Sequence, residues 1–202
     1  MMQKNAAKFI SAIFHPFLIP SMGYLLLLNS NFYFSLMSWE AKRFVLLVVF
    51  FSTAILPLLG VAIMALSPKF DMSMQNARDR ILPLLSTSVF YYIGFLLLSR
   101  VRIFSVFKLF LIASVLVLIV LLLITLKWKI SIHMAALGGM TATIFAMSFR
   151  SGVNPVIAII LAVIVSGLVG TARLILQKHT LWQLAAGYLL GFSFLYGVVY
   201  FI

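Results

Sequence analysis

Seven long apolar stretches, separated by short polar connections, dominate this chain of 202 residues. They cover residues 9–29, 44–67, 81–99, 104–126, 133–149, 155–172 and 181–202. A helix needs about 20 mainly apolar residues to cross the hydrocarbon core of a bilayer, so each stretch has roughly the length of one span. The apolar residues also lack the in-out alternation of membrane-barrel strands, which favours helices. We therefore expect an all-α bundle of six or seven transmembrane helices, forming one integral membrane domain over residues 1–202.

The composition agrees with a bilayer as the surrounding solvent. Hydrophobic residues make up 64% of the chain and charged residues only 9%, whereas soluble domains are close to half apolar and a quarter charged. The net charge of +12 comes from Lys and Arg scattered between the apolar stretches. This distribution favours anionic head groups or phosphorylated lipids as partners over nucleic acid.

Few residues are suited to metal or thiol chemistry. The chain contains no Cys, three acidic residues and three histidines, which are too few ligands for a convincing metal cage. We therefore expect no metal, no other cofactor and no disulfide.

The two faces of the predicted bundle differ in positive charge. Residues 9–29 follow two lysines, as in a signal peptide, but no small-residue cleavage site follows, so we interpret them as the first permanent span. The N-terminus and the connections near 68–80, 127–132 and 173–180 then share one face, with nine of the fifteen Lys and Arg residues. The positive-inside rule would make that face cytoplasmic. If several of these nine cations are there to bind a ligand, however, the two faces no longer differ in the charge that the rule counts, and the orientation stays open. A bacterial inner membrane is the expected location.

Polar side chains gather at three connections on the more positive face. They are Arg78, Asp79 and Arg80 before the third span, Ser131 and His133 before the fifth, and Arg173, His179 and Gln183 between the sixth and the seventh. Ionisable groups near membrane depth are costly, which makes them functional candidates. Arginine pairs bidentately with phosphate, and a helix N-terminus receives an anion. One histidine can attack phosphorus while another protonates the leaving alcohol, so the set predicts a site for a phosphate ester.

The spacing of these residues resembles the three signatures of the type 2 phosphatidic acid phosphatase (PAP2) superfamily. The matching residues are Arg78, Arg80 and Pro83 for Lys-x6-Arg-Pro, Ser131 and His133 for Pro-Ser-Gly-His, and Arg173, His179 and Gln183 for Ser-Arg-x5-His-x3-Asp. The likeness covers about residues 69–191 and keeps the order of the signatures.

The resemblance implies a PAP2-like fold and a division of roles within the site. His179 would be the nucleophile that becomes a phosphohistidine, oriented by Gln183, and His133 would protonate the leaving group. The residues that hold the phosphate would be Arg173, Arg78 or Arg80, and Ser131. Such enzymes need no metal and act on amphiphilic substrates such as phosphatidate, phosphatidylglycerol phosphate or polyprenyl diphosphate.

The sequence departs from the family pattern at several positions. Ala172 stands in place of Ser, Lys129 and Ile132 in place of Pro and Gly, and Ser73 in place of Lys. Gln183 replaces an Asp, and an amide oxygen can fix the histidine tautomer but carries no charge. In triad enzymes the corresponding replacement costs on the order of 10⁴ in rate. The alternative hypothesis is therefore a weak or inactive relative that binds or moves phosphorylated lipids, and a small channel or transporter is a third.

Several polar residues also have a purely structural interpretation. Ser131 fits a helix N-cap, and Gln183 fits the third position of a capping box that begins at Thr180. His15, which precedes a proline, is expected to mark a kink in the first span rather than to join the site. Lys129 is expected to extend to the membrane interface rather than to bind substrate.

Small and aromatic residues predict how the spans pack and where they end. Gly187 and Gly191 form a small-xxx-small pair in the last stretch, which lets a neighbouring helix approach closely. Trp39, Trp128 and Trp182 fall beside span ends, where an amphipathic ring prefers the membrane interface.

Overall fold

The computed structural model describes residues 2–30, 32–67 and 78–202, without the side chains of residues 33, 35 and 78. These parts of the chain are helical and contain no strand. The α-helices are α1 Met2–Ile13, α2 Ile19–Asn29, α3 Trp39–Phe50, α4 Leu56–Ala65, α5 Ile81–Ser99, α6 Ser105–Thr125, α7 Ile132–Ser151, α8 Val156–Ile175 and α9 Leu181–Phe201. Single 3-10 turns at Tyr33–Leu36 and Arg78–Arg80 and a π-helical turn at Phe51–Ile55 complete the described elements.

Within the described residues, six helical segments are long and apolar enough to cross a membrane, which makes the chain an integral membrane protein. They are Trp39–Ala65, Ile81–Ser99, Ser105–Thr125, Ile132–Ser151, Val156–Ile175 and Leu181–Phe201. The all-α class is confirmed for the described residues, and the last five segments match predicted spans to within three residues at either end. The three tryptophans are exposed beside the ends of these segments, as an interfacial position requires.

The first predicted span, residues 9–29, is not one helix, and the prediction is wrong in this respect. α1 ends at Ile13 and α2 begins at Ile19. Pro16 has no N–H to continue a helix, and its ring disfavours the helical conformation of the residue before it. The carbonyl of His15 instead accepts hydrogen bonds from the N–H groups of Leu18 (2.8 Å) and Ile19 (3.3 Å), which turn the chain. α2 alone, at about 16 Å, is too short to cross a bilayer.

The second span begins earlier than predicted and contains a π-helical turn. It runs from Trp39 to Ala65 instead of over 44–67, and Ser38 caps its start by accepting a hydrogen bond from the N–H of Ala41 (3.3 Å). Pro57 lacks the N–H that would bond the carbonyl of Thr53, so the widened turn at Phe51–Ile55 lies where the regular ladder is interrupted.

The centre of the bundle is α7, which crosses α9 at very short range. Two-thirds (67%) of the α7 span is buried inside the protein, more than in any other described span. At the crossing, a Cβ atom on Gly138 would overlap the backbone carbonyl of Tyr188, and one on Gly191 would overlap that of Ala135. A Cβ atom on Gly187 would likewise overlap the backbone carbonyl of Ser131, the residue before α7. The predicted close approach of a neighbour to this glycine pair is confirmed, and it joins the starts of α7 and α9.

Candidate functional site

A cavity of about 500 Å³ opens among the ends of the helices on the face that carries the three polar connections. Its polar wall is formed by His15, Arg80, Lys129, His133, Arg173, Lys178 and His179. These residues come from four separate connections and the helix ends beside them: α1 to α2, the turn before α5, α6 to α7, and α8 to α9. The described part of the wall contains cations and imidazoles but no carboxylate. Such a wall attracts an anion.

His179 lies in the connection just before α9 and is held by the first turn of that helix. Its side chain is buried, with 8% of its surface exposed. Nδ1 of His179 donates a hydrogen bond to Oε1 of Gln183 (3.2 Å), and the same oxygen accepts one from the N–H of Thr180 (3.1 Å). Gln183 therefore completes the predicted capping box with Thr180 and also orients the imidazole of His179.

The surroundings of His179 keep its imidazole neutral. Burial, followed by the positive charges of Arg173 and Arg80, lowers the pKa of His179 to about 4. The hydrogen bond to Gln183 and the nearby backbone of Lys129 oppose this shift only in part. With the proton on Nδ1, the lone pair lies on Nε2. A neutral imidazole with a fixed tautomer is the form that a nucleophile requires.

His133 lies in the first turn of α7 and faces the same cavity. Its Nε2 donates a hydrogen bond to the backbone carbonyl of Ser11 in α1 (3.4 Å). The contact holds the end of α1 against the start of α7. Because Nε2 is engaged by Ser11, any proton that His133 exchanges with a ligand moves through Nδ1.

Among the described side chains, two arginines supply positive charge to the wall, one buried and one half-buried. Arg80, 8% exposed, extends from the 3-10 turn before α5 and donates a hydrogen bond to the carbonyl of Ile130 (3.4 Å). Arg173 lies in the last turn of α8, and its charge acts on His15, His133 and His179. Its buried Nε has no hydrogen-bond partner among the described residues. A buried donor without a partner marks a place where a ligand can bind.

Three of the predicted residues do not form the described wall. Ser131 is fully buried, and its hydroxyl accepts a hydrogen bond from the N–H of Met134 (3.4 Å), so it acts as the N-cap of α7. Its own N–H donates to the carbonyl of Gln183 (3.2 Å), which ties the start of α7 to α9. Gln183 stands behind His179 instead of facing the cavity. The side chain of Arg78 lies outside the described residues, and only its place in the 3-10 turn is known.

The sequence interpretation missed three residues of the wall: His15, Lys129 and Lys178. His15 was assigned to a kink within a membrane span, and the break at Pro16 instead brings it to the site. Lys129 is half-buried and close to three other cations, so burial and the charges of Arg80, Lys178 and Arg173 lower its pKa. The proline after His15 was the one signal in the sequence for the break.

Below the polar wall the cavity continues into the apolar interior of the bundle. Pro83, Leu84, Thr87 and Tyr91 line it from α5, and Phe110, Ser114, Val117, Leu118 and Leu121 line it from α6. From Arg80 to Tyr91 a helix rises about 16 Å. The cavity thus has a cationic end at the membrane surface and a long apolar end within the membrane.

Comparisons of the chain with models of protein families, with curated proteins and with solved structures give no match. The fold and the site define a class by themselves: an integral membrane helical bundle with a cationic cavity.

Proposed function

We propose that this protein is a metal-independent phosphatase of a membrane lipid phosphate or diphosphate that acts through a phosphohistidine on His179. The observation that carries the proposal is the neutral, tautomer-fixed His179 in a cationic cavity, where the Nε of Arg173 lacks a partner. Further support is the order and spacing of the signature-like residues, which resemble those of the PAP2 superfamily. The proposed location is a bacterial inner membrane.

The shape of the cavity supports an amphiphilic substrate. A phosphoryl group with a charge near −2 at neutral pH would lie among the cations of the wall, where arginine pairs with phosphate oxygens. The hydrocarbon chain would occupy the apolar depth between α5 and α6, where Leu118 and Tyr91 line the space. Phosphatidate, phosphatidylglycerol phosphate and polyprenyl diphosphate all meet both requirements.

The first chemical step is attack on phosphorus by the Nε2 lone pair of His179. The bond between phosphorus and the oxygen of the lipid alcohol breaks, and that oxygen takes a proton from Nδ1 of His133. The step requires a second proton on His133, at Nδ1, which the negative charge of the phosphate favours, while the Nε2–H stays bonded to Ser11. Arg173 and Arg80 stabilise the charge on the transferring phosphoryl group.

The second step returns the site to its starting state. Water attacks the phosphohistidine, gives a proton to Nδ1 of His133, and the bond between nitrogen and phosphorus breaks. Inorganic phosphate leaves, and His179 is neutral again. The Gln183 oxygen accepts the Nδ1 proton of His179 throughout, which keeps the attacking nitrogen aligned.

The test is phosphate release by the purified protein in micelles that contain each of the three lipids, with a chelator present. We expect release from at least one lipid and a loss of roughly 10³-fold or more in His179→Ala, as for other nucleophile deletions. Lys127→Ala is the matched control, because Lys127 is an exposed cation near the site face but off the cavity wall. No release from any of these lipids, or full activity in His179→Ala, would overturn the proposal.

The second candidate is a protein that binds or moves phosphorylated lipids without hydrolysing them. The observation in its favour is that Gln183 brings no negative charge to stabilise a charged His179. This candidate predicts that phosphatidate in vesicles binds to the protein without phosphate release, and that Gln183→Asp leaves the release at zero. Phosphate release that Gln183→Asp increases would exclude it.

A further inference from the structure

We infer that His15 is a third imidazole that contacts the ligand: its Nε2–H donates a hydrogen bond to an oxygen of the phosphoryl group that Arg173 and His179 surround. This inference rests on the proposed function for the chemistry of the ligand. It adds a substrate-binding residue from the N-terminal segment, which none of the three signature-like stretches contains.

The break between α1 and α2 places His15 at the cavity. His15 lies in the turn between the two helices. It follows the end of α1, which packs against α8. It lines the same cavity as His133, with the two ring centroids 5.7 Å apart and the rings at 72°. A second ring contact, with Phe17 at 4.7 Å, holds the imidazole edge-on. The position of His15 at the cavity therefore follows from the break between α1 and α2, which a continuous first span would lack.

The local hydrogen bonds determine the tautomer of His15. The backbone N–H of Phe17 donates to Nδ1 of His15 (3.4 Å), so Nδ1 is an acceptor and the proton lies on Nε2. No described residue accepts a hydrogen bond from that Nε2–H, and no hydrogen bond joins His15 to His133. Because His15 lines the cavity, its Nε2–H is available to a ligand that binds there.

The electrostatic surroundings keep His15 a neutral donor. Burial, followed by the positive charge of Arg173, lowers the pKa of His15. A neutral N–H adds a directed hydrogen bond without adding another buried positive charge to a wall that already contains two arginines and two lysines. Fixed donors of this kind stabilise charge on a phosphoryl group without reorganisation.

Three substitutions separate ligand binding from packing. His15→Ala removes both the ring and the donor, His15→Phe keeps a ring against Phe17 but removes the donor, and His15→Gln keeps an N–H donor. Lys8→Ala is the control, because Lys8 is an exposed cation of α1 away from the cavity. The probes are inorganic phosphate, titrated calorimetrically, and phosphatidate in mixed micelles, with size-exclusion profiles to verify folding.

We expect His15→Ala and His15→Phe to weaken the affinity for inorganic phosphate by roughly tenfold or more, the effect of losing a hydrogen bond to a charged group. His15→Gln should recover part of the affinity, and Lys8→Ala should bind as the unaltered protein does. The inference would be overturned if Arg173→Ala abolishes phosphate binding while His15→Phe leaves the affinity for phosphate unchanged. So would an unaltered protein that binds neither probe.

The two proposals fail in different ways. If the unaltered protein binds phosphate and His15→Phe weakens that binding, but no phosphatidate is hydrolysed, the role of His15 stands and the phosphatase does not. If phosphatidate is hydrolysed and His15→Phe changes neither the affinity for phosphate nor the KM, the phosphatase stands and the role of His15 does not.

Discussion

His179 donates its Nδ1 proton to Oε1 of Gln183 across 3.2 Å, and the same oxygen caps the helix that begins two residues after the histidine. One amide thus sets the tautomer of the candidate nucleophile and the start of α9. A carboxylate at this position would add a negative charge beside Nδ1 of His179. The consequences for rate, protonation and stability can be measured separately.

Replacing Gln183 with Asp should increase the rate of phosphate release by about tenfold or more. The tautomer is already correct, so the gain comes only from a charged acceptor that stabilises the positive imidazole, a difference of roughly 1–2 kcal/mol. The measurement is kcat with phosphatidate in micelles. A lower kcat in a folded Gln183→Asp protein would contradict the proposed orientation of His179.

Thr180→Ala is the matched variant for the capping function of this turn. Its side chain belongs to the capping box of α9 and makes no hydrogen bond to the imidazole among the described ones, so the loss should be about 1 kcal/mol of stability. The kcat of Thr180→Ala should stay close to that of the unaltered protein, whereas Gln183→Ala should lose both stability and kcat. Equal losses of kcat in the two variants would mean that Gln183 acts only as a cap.

The imidazole of His179 should titrate with a midpoint near pH 4, to which burial and the neighbouring arginines lower its pKa. The unfolded chain, with a histidine pKa near 6.5, takes up this proton first as the pH falls. The contribution of His179 to stability is therefore complete above about pH 6.5 and is lost between about pH 6.5 and pH 4. Nitrogen-15 NMR of labelled histidines in micelles would follow the titration. Arg173→Gln should move the midpoint upward, and an unshifted midpoint near 6.5 in the unaltered protein would refute the described burial.

Gly191→Ala should destabilise the protein by about 1–3 kcal/mol, as overpacking does. The added Cβ would overlap the carbonyl of Ala135, so α7 and α9 would have to separate. Gly197→Ala is the control on the same helix, because a Cβ there meets nothing within 4 Å, and alanine favours a helix over glycine. Thermal unfolding in detergent would measure both. Equal stability of the two variants would argue against the close crossing.

Leu118→Trp should block long hydrocarbon chains while sparing short ones. Leu118 lines the apolar part of the cavity and is 7% exposed, whereas Leu116, on the same helix, is 42% exposed and off the cavity wall. The KM for long-chain lipid phosphates should rise roughly tenfold in Leu118→Trp, as expected for the loss of a few buried methylenes. A water-soluble phosphate monoester should be hydrolysed as before. A similar effect of Leu116→Trp would show that the cavity does not hold the chain.

The site residues differ in how far the sequence predicted them. Arg173, His179 and Gln183 are close along the chain, so helix-end chemistry and spacing identify them as a group without any tertiary information. Arg80 and His133 were assigned to the same face from the order of the spans, and the structure brings both to one cavity with His179. His15 was missed because its position depends on whether the helix kinks or ends at Pro16. A proline in the sequence is compatible with either outcome.

The membrane environment, the helical class and five of the spans follow from local properties of the chain, because the length of an apolar stretch and the absence of alternation decide whether a helix crosses a bilayer. The capping box at Thr180 and the glycine pair of α9 belong to the same local chemistry. Local properties do not predict that three histidines and two arginines share one wall above an apolar cavity, because the wall joins four separate connections of the chain. That convergence depends on how closely α7 and α9 pack and on how the chain turns at Pro16. The packing is set by contacts between residues more than 40 positions apart, and the turn is set by a break between two helices.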